Sequence, residues 1–508
     1  MIKYRILIPL FMVALLCSSN IVFSEKIIEN KSNNISELTI LSQKPSRIQN
    51  VMNFSSMKIE YPMSTVPIIV EKEGFFVIKL DVEEFNEVFA YISTAYEEIT
   101  EDYWLNVNEY WMFEDYWYIN VSVPQIVPEE LYNITVMINL GGKLYSTSQP
   151  RAVSVVEEFT KDFSFIHITD FHVGDPRGFS ESIWKTIGWK SIKRCIHEIN
   201  LLKPEFVIIS GDVVFGQLYP FEYRREYEKC FEMIQMFDVP TYLCPGNHDG
   251  YRRPGEDGLE FWTEYFGPLY YSFDFGDYHF QAINSFDMPA SRRLSFFFIA
   301  LNWGGSIQDE QLQWIENDLI ENAGDLNFMF MHHNPLWETT HDSLVGRKYK
   351  NRQELLSIID QNDVDMVLAG HVHVDNVTIQ NDTIFLTTTT PESGISAEDG
   401  YWGYRMIDIE NGEISSYNYK DPKYSIPSYK IKAKYPSNKK ANVENGLETD
   451  IKAHLEFVLP LADYEVDYGE IVMQRWNDRF IQLYVEATIE QNSTQTIKVS
   501  KASNFKSY

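Results

Sequence analysis

Phe163-Ser164-Phe165-Ile166-His167-Ile168-Thr169-Asp170-Phe171-His172 is the stretch that decides the fold: an apolar run of strand length ends in a carboxylate and an imidazole two residues apart. The same grammar returns four times downstream. Phe206-Val207-Ile208-Ile209 leads into Gly211-Asp212, and Thr241-Tyr242-Leu243-Cys244 into Gly246-Asn247-His248-Asp249. Phe328-Met329-Phe330-Met331 leads into His332-His333-Asn334-Pro335, and Met366-Val367-Leu368-Ala369 into Gly370-His371-Val372-His373. Between these runs, amphipathic segments predict helices over Ser182 to Leu202, Glu222 to Phe237, Gln308 to Leu319 and Arg352 to Gln361. Buried strands alternating with helices give α/β order, and the carboxyl ends of parallel strands converge on one edge of a sheet. Residues distant in sequence thereby meet in one crevice.

The residue types that meet there have a chemistry. Carboxylates, an amide oxygen and imidazoles, without thiolates, suit hard-to-borderline ions such as Fe, Mn, Zn or Co. Two such ions ~3.5–4 Å apart generate a hydroxide at neutral pH and clamp both oxygens of an in-line phosphoryl displacement. His167 lies within the strand, where a satisfied core histidine is expected, and His197, His279 and His341 have no ligand block around them. Arg177, Arg252 and Arg253 follow ligand blocks, but a solvated surface arginine is the plainer reading of each. The aromatic stretch Arg292 to Trp303 reads either as a rim loop facing the substrate's organic part or as a buried hydrophobic excursion.

Taken in order, the blocks D-x-H, G-D, G-N-H-D, H-x-P and G-H-x-H resemble the calcineurin-like metallophosphoesterase superfamily over about residues 163–420. The resemblance implies a four-layer α-β-β-α sandwich with two bound metal ions, Fe, Mn or Zn. One would be held by Asp170, His172, bridging Asp212 and His373, and the other by Asp212, Asn247, His333 and His371. The H-x-P spacing selects His333, with His332 open as the alternative. His248 would contact substrate and protonate the leaving oxygen, and Asp249 would orient that imidazole. The purple acid phosphatase branch has a tyrosine ligand three positions after the aspartate of G-D; here that place is Phe215, so no tyrosinate chromophore is expected. The G-N-H-D and G-H-V-H forms look closer to the cyclic-nucleotide and glycerophosphodiester phosphodiesterase branch.

Outside this region the texture changes. At 508 residues the chain is long enough for about three domains. Residues 51–157 carry short alternating runs such as Phe75–Leu80, Tyr118–Val123 and Leu131–Val136, which predict an N-terminal β-sandwich. The catalytic domain is read over 158–424, its closing hairpins over 384–420 with Asn411-Gly412 as a turn. Alternating segments at Ala453–Leu459 and Ile481–Ala487 place a C-terminal β-domain over 425–508.

Lys3 and Arg5 precede an apolar run from Ile6 to Leu16 and a small, polar stretch to Ser24, the layout of a signal peptide over 1–24; residues 25–50 read as a linker. The expected location is secreted or extracytoplasmic, with membrane attachment only through an uncleaved N-terminal segment. Cys195, Cys230 and Cys244 form no metal-type spacing or disulfide framework. A formal net charge of -30 opposes nucleic-acid binding, which needs clustered cations. The partner expected is a small phosphate ester, monoester or diester. The other class of function is an extracellular adhesion protein that uses the same domain as a scaffold, against which five complete ligand blocks count.

Overall fold

The computed structural model describes residues 52–53, 57–95, 99–175, 190–217, 222–296, 299–338, 349–396, 401–420 and 423–502. The signal segment 1–24, the linker 25–50, Arg177, His341 and the start of the helix expected from Ser182 lie outside them.

Two six-stranded sheets form the middle of the chain. The first contains β1 (Phe163–Ile168), β2 (Phe206–Ile209) and β3 (Thr241–Leu243), and the second begins with β4 (Tyr271–Phe275), β5 (Tyr278–Ile283), β6 (Leu326–Met331) and β7 (Met366–Ala369). β8 (Asn376–Gln380) and β9 (Thr383–Thr387) complete the second, while β10 (Gly403–Glu410) and β11 (Glu413–Ser416) return to the first. The orders are β3-β2-β1-β10-β11, with Ile426–Pro427 added on β10, and β4-β5-β6-β7-β9-β8. β1, β2 and β3 run parallel, as do β5, β6, β7 and β9. The Asn411-Gly412 turn joins β10 to β11 with both residues left-handed. Thr383–Thr387, expected within the closing hairpins, instead lies parallel to β7 and takes its hairpin partner from Asn376–Gln380.

Strand residues alternate between two cores, as a period of two requires. Phe163, Phe165, Phe206, Phe280, Phe328 and Phe330 point between the sheets. Phe165 stacks on Phe206 with centroids 5.1 Å apart and meets Phe280 edge-on at 5.6 Å, which locks the two sheets together. Each such burial contributes about 1.5–3 kcal/mol. On the outer side of the first sheet, Ile166, Ile168, Val207 and Ile209 pack against α1 (Lys190–Leu202), α2 (Tyr223–Ile234) and α3 (Gly258–Tyr265). Met329, Met331 and Val367 of the second sheet pack against α4 (Asp309–Asn322) and α5 (Arg352–Gln361).

The N-terminal region has its own core, including Ile78, Leu80, Ile92, Ile119, Val121, Ile134 and Val136, between a six-stranded and a four-stranded sheet. It attaches through Arg151, a buried residue with φ 51° at a break in strand register. Its guanidinium donates to Phe237 O at 3.0 Å, Val239 O at 2.6 Å and Thr241 Oγ1 at 3.3 Å. These acceptors lead into β3, so the N-terminal region is pinned at the amino ends of the parallel strands. The C-terminal region alternates cleanly, one face of Ile451–Pro460 buried and the other wet. Its buried face, with Leu455, Phe457 and Val485, shares one core with α1 and α2. Cys195, Cys230 and Cys244 are free and buried.

Candidate metal centre

All five ligand blocks lie just past strand carboxyl ends. Backbone hydrogen bonds continue past the strands and tie the blocks to one another: Asp170 N to Gly211 O at 3.0 Å, His172 N to Asp212 O at 2.9 Å, and Gly370 N to His332 O at 3.0 Å. The loops are tight. Asp170, His172, Asp212, His371 and His373 all hold left-handed φ between 48° and 76°, a conformation that costs about 1–3 kcal/mol per residue and gathers at functional sites. Two motif glycines have a steric reason: a Cβ on Gly246 would lie 2.2 Å from Asp212 Oδ1, and one on Gly370 2.1 Å from Thr169 Oγ1.

The side chains converge on two carboxylates. His332 Nε2 stands 3.0 Å from Asp212 Oδ2, and His373 Nε2 3.1 Å from Asp170 Oδ1. His172 Nε2 lies 3.5 Å from Asp170 Oδ1 and 3.6 Å from Asp212 Oδ2. Imidazole nitrogens also face one another, His172 Nε2 to His373 Nε2 at 3.1 Å and His371 Nδ1 to His332 Nε2 at 3.2 Å. Four overlapping groups of potential ligands result, linked through Asp170, His172, Asp212 and His332. Asn247 Oδ1, His172 Nδ1 and His371 Nε2 are buried without a hydrogen-bond partner. Asn247 Nδ2 donates to Tyr251 Oη at 2.7 Å, so the amide is oriented with its oxygen spare. Unpaired buried acceptors and opposed imidazoles are costly in themselves and are what cations would satisfy; the donor set fits metal binding.

Tautomers are set from behind. His332 Nδ1 donates to Ser210 O at 2.9 Å, His373 Nδ1 to Ile395 O at 2.8 Å and His248 Nδ1 to Phe215 O at 2.5 Å. Each of the three thus turns Nε2 toward the carboxylates, the arrangement that orients metal-ligating histidines. Burial alone would lower the His332 pKa, but Asp212 and Asp170 outweigh it and lift it to about 9. Burial would raise the Asp170 carboxyl, yet His373 and His332 hold it well below the usual range. For His248, burial prevails over Asp212 and pushes the pKa down to about 4.

Two expectations change. The H-x-P spacing pointed to His333, but its Nε2 donates to Trp303 O at 2.9 Å, which leaves Nδ1 as the lone pair, 2.9 Å from Ser285 Oγ. In that tautomer both ring nitrogens are engaged by the protein, while the ring still belongs to a group of potential ligands with His332 and His371. His332, the first residue past β6, is the one directed at Asp212. Counting from the strand end rather than from Pro335 would have found it. Asp249 does not touch the His248 imidazole: Oδ1 accepts from Val213 N and Val214 N at 3.0 and 3.1 Å, and Oδ2 from Gly246 N at 2.7 Å. It fastens the G-D loop to the G-N-H-D turn, and the Phe215 carbonyl orients His248. The Phe215 ring also stacks on His248 at 5.5 Å.

A buried network behind the cluster was not legible as motif. Thr387 to Thr390 are all fully buried. Thr389 Oγ1 donates to His373 O and Thr390 Oγ1 to Asp170 O, both at 2.9 Å. Thr388 Oγ1 meets His167 Nδ1 at 2.7 Å and accepts from Arg405 Nε at 3.3 Å. Arg405 in turn pairs with Asp375 at 3.0 Å, and Asp375 accepts from Thr389 N. His167 is a core histidine as expected, its other nitrogen 2.7 Å from Ser210 Oγ. His279 is likewise structural, between Asp274 and Asp318. Arg252 is exposed, and buried Arg253 reaches Gly216 O at 3.4 Å.

Comparisons with known proteins find related sequences. The family model for calcineurin-like phosphoesterase matches residues 163–375. The chain is 27% identical over 213 residues to a probable glycerophosphodiester phosphodiesterase GpdQ of Arcobacter nitrofigilis, covering 41% of this chain and 72% of that one. It is 26% identical over 231 residues to the serine/threonine-protein phosphatase CPPED1 of Rattus norvegicus, covering 42% and 71%. It is 23% identical over 227 residues to the 3',5'-cyclic adenosine monophosphate phosphodiesterase CpdA of Escherichia coli, covering 41% and 68%. Among solved structures, PhoD aligns with TM-score 0.38 and 11% identity over 78% of this chain and 88% of that one. Residues 163–375 thus form a calcineurin-like phosphoesterase domain, and the matching relatives are named as phosphodiesterases and phosphatases.

Proposed function

We propose that this chain hydrolyses a small phosphate ester, diester or monoester, at a dinuclear metal centre. Asp170, His172, Asp212 and His373 would hold one ion, and Asp212, Asn247, His332 and His371 the other, with His332 taking the place that spacing gave to His333. When bound, two such cations acidify a water and neutralise the phosphoryl oxygens. The chain's own part is to position and to move a proton. His248 Nε2 lies 4.0 Å from Asp212 Oδ2 at the accessible edge of the cluster, its side chain 14% exposed. With Nδ1–H donated to Phe215 O, the neutral ring presents an Nε2 lone pair, and His248 would hand a proton from Nε2 to the departing alkoxide once that nitrogen, at the accessible edge, has taken one up from solvent. The observation that carries the reading is the buried, unpartnered Asn247 Oδ1 among converging imidazoles and carboxylates.

The three cores support a four-layer α-β-β-α catalytic domain over 158–424, flanked by β-sandwich domains over 51–157 and 425–508. Export through residues 1–24 rests on composition, and a secreted chain beginning at Glu25 in N-terminal mass spectrometry is the expected product. The acidic composition supports a small-molecule ester over nucleic acid. The adhesive-scaffold alternative is disfavoured by the complete ligand set. The deciding experiment is hydrolysis of bis-p-nitrophenyl phosphate and p-nitrophenyl phosphate by protein reconstituted with Mn, Zn or Fe, beside an Asp212→Asn variant. Metal-dependent turnover that falls at least ~10³-fold in the variant is expected. Turnover surviving in the variant, or none under any metal, would remove the proposal.

A further inference from the structure

Next to the metal centre a short hairpin, Ser295–Phe296 paired with Ile299–Ala300, leaves apolar side chains uncovered among the described residues. Phe296 is 48% exposed, Ile299 67% and Leu301 41%. Single exposed apolar residues are ordinary, but three within six positions are not. The base of the hairpin is rigid. Arg293 is buried, pairs bidentately with Asp257 at 2.6 and 2.8 Å, and donates to Gly250 O at 2.6 Å. Ala300 and Trp303 pack in one cluster with Tyr251 and Phe286. Tyr251 accepts from Asn247, and Trp303 O accepts from His333, so the hairpin stands on the same residues that frame the ligand cluster.

Charge is arranged around it. Arg252, bridged to Leu294 at the hairpin base, and Arg292, just before it, are both exposed, and neither makes an ion pair among the described residues. Asp257 is engaged by Arg293 and Asp287 by Gln308 and Gln311, while Glu256 lies opposite Arg253 on the paired strand and interacts with it. In a chain of net charge -30, two exposed arginines outside ion pairs stand out here, and a Debye length of about 8 Å lets them act on a surface in contact at physiological salt. Apolar side chains flanked by arginines match the apolar and anionic layers of a membrane interface.

We propose that the Ser295–Ala300 hairpin docks the protein on an anionic lipid surface and thereby presents the metal centre to phosphate esters carried in that surface. The second half rests on the phosphoesterase reading; the docking does not. Insertion of Phe296 and Ile299 supplies the apolar contact, and Arg252 and Arg292 supply the preference for anionic headgroups.

The test is flotation with vesicles of phosphatidylcholine alone and of phosphatidylcholine mixed with phosphatidylglycerol. It uses the chain from Glu25 onward in the Asp212→Asn background, so that neither the apolar Ile6–Leu16 run nor turnover contributes; every described element lies beyond residue 51. Affinity for the anionic vesicles should exceed that for neutral ones at least tenfold. A Phe296→Ser/Ile299→Ser variant should lose at least tenfold in binding, and Arg252→Gln/Arg292→Gln should abolish the anionic preference. No vesicle binding, equal binding to both compositions, or binding unchanged in the variants overturns the proposal. Self-association of the chain that disappears in Phe296→Ser/Ile299→Ser, without vesicle binding, would assign the hairpin to a second copy instead. Turnover of bis-p-nitrophenyl phosphate by the unsubstituted protein reads the phosphoesterase independently of all these outcomes.

Discussion

At the amino ends of β1 to β3, Arg151 is buried with its guanidinium spread over the carbonyls of Phe237 and Val239 and the hydroxyl of Thr241; at the carboxyl ends, Asn247 Oδ1 and His371 Nε2 are buried with nothing to accept from. Both ends bury polarity in the same sheet. At the first end it is satisfied, and its work is to join two regions. At the second it is left open, with imidazole nitrogens facing each other at 3.1 and 3.2 Å, and it needs an outside ion. Isolated unsatisfied atoms such as Tyr118 Oη and Gln482 Oε1 occur elsewhere, so the difference teaches that buried polarity marks function where several unsatisfied groups converge on one point.

The comparison breaks most readily at the pair His332 and His333. His332→Ala should cost about 10³-fold in metal-dependent turnover, while His333→Ala should cost about tenfold or less, through loosened packing against Trp303 and Ser285. Equal losses, read as kcat/KM on bis-p-nitrophenyl phosphate, would return His333 to the ligand set. Arg151→Met probes the satisfied end: about 3 kcal/mol of stability should be lost in urea unfolding, with kcat of the folded protein unchanged. A change in kcat would show that the two ends communicate.

Arg405→Lys lies between the extremes. It keeps the charge beside Asp375 but loses the fork that also serves Thr388, Tyr417 O and Lys423 O. Metal affinity should fall about 10–100-fold in equilibrium titrations, with less effect on turnover at saturating metal. The smallest effect belongs to His279. Burial lowers its pKa, but Asp274 and Asp318 outweigh it and raise it to about 9. Its contribution, on the order of 1–3 kcal/mol, is therefore complete below the unfolded value of about 6.5 and fades as pH rises through 9. Unfolding free energies across that window should lose this slope in His279→Gln.

The parts of the fold set by hydrophobic period were readable before any coordinates. Arg352–Gln361 and Met366–Ala369 fall on the expected limits, and Asn411-Gly412 makes its turn because both residues tolerate left-handed backbone. The hairpin of Tyr271–Phe275 and Tyr278–Ile283 escaped notice although aromatic and polar residues alternate on both strands around Gly276-Asp277, a period of two that marks it as paired. Within the site, position after a strand marked the blocks but not the roles. Asp249 bonds only backbone N–H groups, which carry no signature in the side-chain sequence. Neighbours such as His332 and His333 differ by which carbonyl meets which nitrogen, and that follows from the packing of Trp303 and Ser210, distant in the chain. The threonines Thr387 to Thr390 read as an ordinary β-prone run because their hydroxyl partners come from four other segments, around Asn334, His167 to Asp170, His373 and Arg405.

The left-handed backbone at Asp170, His172, Asp212, His371 and His373 also acts as a filter on evolutionary drift. Glycine, asparagine, aspartate and histidine are favoured in that region and β-branched residues are not, so a step to valine or threonine there would strain the loop as well as delete a donor. A descendant that abandoned the chemistry would be expected to drift to asparagine or glycine at these positions, leaving a vestige of the catalytic ancestor in its torsion angles after the donors had gone.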